Sequence, residues 1–242
     1  MVMHKRKFSI IIPTLNEAGN LRHCLNSIRA QDSSAEIIVV DGGSADGTAA
    51  IASSEDVVVC NSRRGRGTQC NVGALHANGG ILLFLHADTL LPQNGFRILD
   101  QYFNSPQVQV GTFRLGFDTP HWILKAYTQF TRFDSLFTNF GDQCIVVRME
   151  FFRKCGGFPD WPLFEDVQFL RTARRRTKVY RFPAAVTTSA RRFTEKGILK
   201  QQALSAWLLL LFLVGTHPIT LANKYEGRPE GSEGNANNKF LI

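Results

Sequence analysis

The chain has 242 residues, of which 44% are hydrophobic and 20% charged, the proportions of a globular protein with a real core and not of a disordered or collagen-like polymer. Lys and Arg number 28 against 20 Asp and Glu, a net charge of +8. That balance favours an anionic partner, such as a nucleotide diphosphate, an acidic lipid headgroup or a nucleic acid. The five cysteines include no C-x-x-C pair, which argues against a disulfide framework or a cysteine zinc site and for a reducing compartment, the cytoplasm.

Residues 1–6 read as a basic leader. The apolar stretch from Phe8 to Ile12 is cut off by Pro13 and then Asn16 and Glu17, too soon for a signal-peptide core. Phe8–Pro13, Glu36–Asp41, Val57–Cys60 and Ile81–His86 are continuous apolar runs, the pattern of strands buried on both faces. Between them Leu21, Cys24, Leu25 and Ile28 fall at i, i+3, i+4 and i+7, and Ile98, Leu99 and Tyr102 repeat part of that spacing. Strands alternating with helices predict an α/β fold, a mainly parallel sheet flanked by helices.

The second half is less regular. Val108–Phe117 reads as a strand, His121–Phe133 as a helix, Gln143–Val147 as a strand, Gly156–Pro159 as a turn, Glu165–Arg176 as a helix and Lys178–Phe182 as a short strand. A helix from Lys196 to Phe212 is ended by Gly215 and Pro218. Its apolar run Trp207–Val214 is far below the roughly 20 residues needed to span a bilayer. Two burials suit it: packing into the protein or a second subunit, or an interfacial position on a membrane, with Trp207 among the headgroups. Residues 7–225 are expected to form a single domain that includes the C-terminal helix 196–214. The Gly-, Glu-, Asn- and Pro-rich tail 226–242 is predicted to be disordered.

Ligands of parallel α/β sheets bind beyond the carboxyl ends of the strands. There the first strand runs into Pro13-Thr14-Leu15-Asn16-Glu17, the second into Asp41-Gly42-Gly43-Ser44-Ala45-Asp46-Gly47-Thr48 and the fourth into His86-Ala87-Asp88. Carboxylates gathered on one edge repel one another unless a cation or a donor-rich ligand lies between them. The Asp41–Thr48 segment fits equally a tight turn in which Ser44 or Asp46 caps the next helix. The run Ser62-Arg63-Arg64-Gly65-Arg66-Gly67-Thr68-Gln69 fits a phosphate-binding helix start or a solvated basic loop.

Taken together, Ile11-Ile12-Pro13-Thr14-Leu15-Asn16-Glu17, Val39-Val40-Asp41-Gly42-Gly43-Ser44, Arg64 to Ala74, Leu83 to Thr89 and Phe164-Glu165-Asp166-Val167 resemble family 2 glycosyltransferases of the GT-A fold. The resemblance covers roughly residues 7–195 in the family's order. It is nearest to a small bacterial subgroup with His-Ala-Asp (86–88), Gly141-Asp142-Gln143 and Ser189 to Arg192 segments. It implies a hexosyltransferase-like enzyme that moves a sugar from a nucleotide-diphosphate donor to a hydroxyl acceptor, with Pro13, Asn16, Glu17, Asp41, Arg66, Gln69 and His86 at the donor nucleotide. Asp41 would accept a hydrogen bond from the base edge. Asp88 matches the last Asp of the family's D-x-D motif and would hold Mg²⁺ or Mn²⁺ against the diphosphate. Asp166, with Glu165 beside it, matches the general base. His86 replaces the first carboxylate of D-x-D, and Cys70 stands where the family often has Arg, a charge that Arg66 could supply from one helical turn away.

Trp161, Arg191 and Arg192 are candidates for acceptor or diphosphate contacts. Trp161 fits a packed lid equally well, and the two arginines a surface role; Glu165-Asp166 also suits the positive end of the helix it opens. The rival readings are a nucleotidyltransferase, disfavoured because Pro13–Glu17 replaces that class's Gly-rich basic loop, and a non-catalytic binder of anionic polymers. Asp41, Asp88 and Asp166 argue against the latter, and against nucleic acid as partner. A lipid-linked acceptor at the inner face of the membrane, and a homodimer through 196–214, are the partners left open.

Overall fold

The computed structural model describes residues 7–31, 35–119, 121, 128, 143–190 and 198–225. The leader 1–6, most of the predicted helix His121–Phe133, Gly141, Asp142, Arg191, Arg192, Lys196 and the tail 226–242 lie outside the described residues.

The first half builds as the apolar runs require: β1 (Phe8–Thr14), α1 (Leu21–Arg29), β2 (Glu36–Asp41), α2 (Thr48–Ser54), β3 (Val58–Asn61), α3 (Arg66–His76) and β4 (Ile81–Phe84). The short β5 (Thr89–Leu90), α4 (Gly95–Phe103), β6 (Val110–Phe117), β7 (Ile145–Arg148), α5 (Met149–Lys154), α6 (Glu165–Arg174), β8 (Val179–Thr188), α7 (Ile198–Leu213) and α8 (Pro218–Tyr225) follow. One eight-stranded sheet results, in the order β3-β2-β1-β4-β7-β6-β8-β5. The β3-β2-β1-β4 half is parallel, and β6 pairs with β8 in parallel. β7 enters between β4 and β6 antiparallel to both, and β5 is antiparallel to β8.

Alternation along β1 explains why both faces need helices. Ile10 and Ile12 join the cluster formed with Leu21, Leu25 and Ile28 of α1 and Ile98 and Leu99 of α4. Ile11, between them, joins Ile38, Val40, Leu82 and Phe84 on the opposite face, against α3 and α6. Side chains of successive strand residues point to opposite faces, so an unbroken apolar run buries itself only under helices on both sides. α3 lies so close to the sheet that a Cβ on Gly73 would fall 2.4 Å from Ile11 Cγ2.

Several boundaries differ from the predicted ones, three of them with a structural cause or consequence. β4 stops at Phe84 instead of continuing to His86. β8 continues past Phe182 through Pro183, because the pairing with β6 jumps from Thr112↔Arg181 to Arg114↔Ala185 and the irregularity accommodates a residue that cannot donate to the ladder. Pro218 does end the region of α7, yet it also opens α8, at the first helical position where a missing N–H costs nothing. α7 packs inward through Leu208, Leu209 and Phe212, which meet Leu221 of α8 and Val167 of α6. Phe164 and Phe212 stack with ring centroids 4.9 Å apart.

Candidate active site

The turns after β1 and β2 are bound to each other by four hydrogen bonds. The Asn16 amide donates to Ser44 Oγ at 2.9 Å, and Asn16 Oδ1 accepts from the Ala45 amide at 2.8 Å. The Ala18 amide donates to Asp46 Oδ2 at 3.0 Å, and that of Glu17 to Thr48 Oγ1 at 2.8 Å. Asn16 makes this possible by adopting φ +55°, a left-handed conformation that Asn tolerates better than most residues. Asp46 also accepts from the Thr48 amide at 3.1 Å and the Thr48 hydroxyl. The Thr48 hydroxyl, followed by the Ala18 amide, holds the Asp46 carboxyl below the ordinary carboxylate value. Gly47, at φ +87°, precedes α2, and the Asp46 carboxylate satisfies the amide of Thr48, the first residue of that helix.

Asp41 is 4% exposed. Its Oδ2 accepts from the amides of Gly43 (3.0 Å) and Ser44 (2.8 Å), and its Oδ1 from Ser44 Oγ (2.5 Å) and Thr14 Oγ1 (3.3 Å). A carboxylate offers about four acceptor positions, so the β2 turn itself occupies the group. Gln69 performs a related structural task from α3: its Nε2 donates to the carbonyls of Thr14 and Val40, both at 2.8 Å, clamping the ends of β1 and β2 together.

Beyond those strand ends opens a cleft of about 360 Å³ lined by Pro13, Thr14, Leu15, Glu17, Arg64, Gly65, Arg66, Gln69, His86, Ala87, Asp88, Pro162, Leu163 and Ala222. Carboxylates of Glu17 and Asp88 thus share a wall with the guanidinium-bearing Arg64 and Arg66. Glu17 Oε2 accepts from Asn20 Nδ2 at 2.7 Å. Asp88 is held through its backbone, whose carbonyl accepts from the Ser189 amide at 3.0 Å, while Thr89 Oγ1 approaches Asp88 Oδ1 at 3.3 Å.

A second, much smaller cavity adjoins the cleft and is lined by Arg66, Cys70, Phe84, His86, Ile145, Phe158, Glu165 and Asp166. Arg66 and His86 border both. Glu165 and Asp166 are 2% and 4% exposed. Arg66 Nε donates to Glu165 Oε1, and its Nη2 lies 3.6 Å from Asp166 Oδ2. The Val167 amide donates to Asp166 Oδ1 at 2.7 Å. The helix that carries both acids follows Phe164 at φ +63°, a left-handed step that turns the chain into α6. α3 and α6 can meet here because residue 67 is glycine, whose added Cβ would lie 2.7 Å from the Pro159 carbonyl and 3.2 Å from Glu165 Cγ. Arg63 and Thr68 fix Asp160 beside this junction, and the Thr68 hydroxyl first, then Arg63, hold its carboxyl below the ordinary value.

The structure therefore brings together Pro13, Glu17, Arg66, Gln69, His86, Asp88, Glu165 and Asp166 from four places in the sequence. Asn16 and Asp41 are not among the lining residues. Trp161 packs into the C-terminal cluster, with ring centroids 6.0 Å from Phe212 and 6.2 Å from His217. Arg64, Leu15, Pro162, Leu163 and Ala222 line the cleft without having been singled out. Arg64 had a signal, the Ser62–Gln69 run itself; Ala222 had none, since α8 was not foreseen. All five cysteines are free thiols, and burial pushes those of Cys24, Cys70 and Cys144 far up.

Among the described residues no group of three or more His, Cys, Asp or Glu side chains forms a cage for a metal ion. A single cleft carboxylate nevertheless fits Mg²⁺ or Mn²⁺ of the kind that takes most of its oxygens from a phosphate ligand and water. Asp88, which lines the same cleft as Arg64 and Arg66, is the residue that would hold it.

The chain is similar to known proteins in sequence and in fold. The sequence profile of glycosyl transferase family 2 matches residues 9–156. Glycosyltransferase AglE of Haloferax volcanii is 37% identical over 90 residues, 33% of this chain and 30% of that protein. S. aureus TarS 1–349, solved in complex with UDP-GlcNAc, superposes with a TM-score of 0.61 at 20% identity over 76% of this chain and 58% of its own. The mannosyltransferase PcManGT of Pyrobaculum calidifontis, solved with GDP-Man and Mn²⁺, gives 0.58 at 21% identity over 77% and 57%. This chain thus spans less than a third of the length of its archaeal relative and under two thirds of the two solved chains.

Proposed function

The chain belongs to glycosyl transferase family 2 and has the GT-A fold, and from that premise we propose that it transfers a sugar from a nucleotide-diphosphate donor to a hydroxyl acceptor, with inversion and with the help of a divalent cation. The observation that carries this reading is the shared border of the two cavities. Arg66 and His86 face the cleft that holds Asp88 and also the small cavity that holds Asp166. A diphosphate lying along Arg64, Arg66 and Asp88 would then have its sugar-bearing end next to a carboxylate. The nucleotide sugars and Mn²⁺ in the complexes of the two structural neighbours support the same reading.

The acceptor oxygen attacks the anomeric carbon from the face opposite the leaving group. A new C–O bond forms, the bond to the diphosphate oxygen breaks, and its electron pair departs with the nucleotide diphosphate. The acceptor proton passes to the Asp166 carboxylate, oriented by the Val167 amide. A bound divalent cation would offset charge on the departing diphosphate. Arg64 and Arg66 add fixed positive charge at that end of the cleft. Glu165 holds Arg66, so its part is to position a charge and not to touch the reacting atoms. Glu17 lines the nucleotide side. Asp41 and Asn16 shape the turn beneath the base, and Gln69 holds the two strand ends in register.

Five free thiols suit a reducing compartment, and we place the protein in the cytoplasm. The test is a screen of UDP-, GDP- and dTDP-sugars by calorimetry and donor hydrolysis, with and without Mn²⁺. Micromolar-range, Mn²⁺-enhanced affinity for one nucleotide series supports the reading. Equal indifference to all three, combined with salt-sensitive binding to random DNA, would replace it with a binder of anionic polymers.

A further inference from the structure

From Ala206 to its end helix α7 is apolar on every side, and the fold buries only part of that run. Leu208, Leu209 and Phe212 turn inward. Trp207 is 47% exposed, Leu210 54% and Val214 73%, and Ile219 of α8 adds a fourth exposed apolar side chain at 51%. Trp207 and Leu210 of α7 and Val214, in the turn that follows and with its amide bonded to the Leu210 carbonyl, keep the i, i+3, i+7 spacing, so they form one stripe. Single exposed apolar residues are ordinary, but a continuous stripe of them marks a surface that something covers.

Three observations identify the cover. The first is continuity with the cleft. α8, about 12 Å long, sends Ile219 outward, Leu221 into the cluster under α7 and Ala222 to the cleft wall beside Pro162 and Leu163. The exposed stripe and the cleft wall are therefore parts of one small rigid unit. The second is charge: residues 198–225 contain Lys200 and Lys224 and no Asp or Glu, in a chain of net charge +8. The third is the residue at the stripe's start, since a half-exposed indole suits the headgroup level of a bilayer. Four partly exposed side chains fall well short of the roughly 800 Å² per partner that a stable protein interface buries. No helix among the described residues is long and apolar enough to cross a membrane, so the contact would be interfacial.

We propose that α7 and α8 form a docking face for an anionic bilayer, seated with Trp207, Leu210, Val214 and Ile219 at the headgroup boundary. The cleft then opens beside the lipid surface, and the acceptor hydroxyl belongs to a lipid-borne molecule. The acceptor assignment rests on the glycosyltransferase reading; the docking face does not.

The experiment is co-sedimentation of the full chain with phosphatidylcholine vesicles with or without phosphatidylglycerol, at low and high salt. Expected is binding to the anionic vesicles that weakens with salt and falls at least about tenfold in Trp207→Ser with Leu210→Ser, given the apolar area removed. Both positions are exposed and neither lines the cleft, so circular dichroism and vesicle-free donor binding should be unchanged. Sedimentation velocity without vesicles gives the other arm. No binding to anionic vesicles at low salt overturns the proposal, and so does a dimer that the double variant dissolves. Donor binding without vesicles, measured in parallel, separates failure of the docking face from failure of the proposed reaction.

Discussion

Arg66 Nε donates to Glu165 Oε1, joining the first residue of α3 to the first residue of α6 across 99 positions of sequence. Because Arg66 is 37% exposed on its side chain while Glu165 is 3% exposed, solvent screens the pair on one side only. Glu165→Gln keeps the shape and removes the charge. Its cost in stability should be modest, about 1 kcal/mol, whereas kcat should fall further than that loss implies, because Arg66 is no longer aimed at the diphosphate end of the cleft. Urea unfolding alongside steady-state kinetics checks this; a kcat that keeps its wild-type value would show that Glu165 is a structural helix-start residue alone.

Asp166→Asn should separate chemistry from binding. Asparagine can accept the Val167 amide bond but cannot take a proton, and loss of a general base costs about 10²–10⁴ in rate. Donor affinity, read by calorimetry, should stay within a few-fold of wild type. Parallel losses in both would place Asp166 at the donor and not at the acceptor.

Asp88→Ala removes the cleft carboxylate suited to a cation while leaving the Asp88 carbonyl, which accepts from Ser189, in place. The thermal midpoint should hardly move. The expected outcome is loss of Mn²⁺-stimulated donor turnover, and an unaltered Mn²⁺ titration curve would remove the metal from Asp88.

Asp46 gives the fold a defined response to acid. Its folded-state carboxyl sits below its ordinary value of 3.8 because the charged form accepts from the Thr48 hydroxyl and the Ala18 amide. A depressed value means stability that is fully present above the unfolded-state value and lost as pH falls through the folded one. Asp46→Asn should therefore be less stable than wild type at neutral pH, with the gap closing below about pH 4. Urea midpoints measured from neutral to strongly acidic pH would reveal a constant gap if the carboxylate played no part.

What could be read from sequence followed how local each signal was. Ile10, Ile11 and Ile12 announce a doubly covered strand by themselves, and Leu21, Cys24, Leu25 and Ile28 announce the helix that covers one side. The carboxyl ends of β1, β2 and β4 were legible to within two residues, so Glu17, His86 and Asp88 could be placed on one edge. The α8 wall was not, because Pro218 ends one helix and begins another, and residue type does not distinguish the two. β8 was cut short at Pro183 because only the partner strand shows the irregularity that accommodates it. Asp41 shows the limit of residue type as a guide. The residue type alone does not foretell that Gly43, Ser44 and Thr14 all donate to its carboxylate.

The four bonds that join Asn16 to Ser44 and Ala45, Glu17 to Thr48 and Ala18 to Asp46 have a thermodynamic consequence. Two loops already locked to each other have surrendered their freedom during folding, so the proposed nucleotide, arriving in the cleft beside them, would have little of that wall left to order. Its binding entropy should be set by displaced water and by the ligand's own rotations, and its association rate by diffusion and charge in place of a loop-closing step.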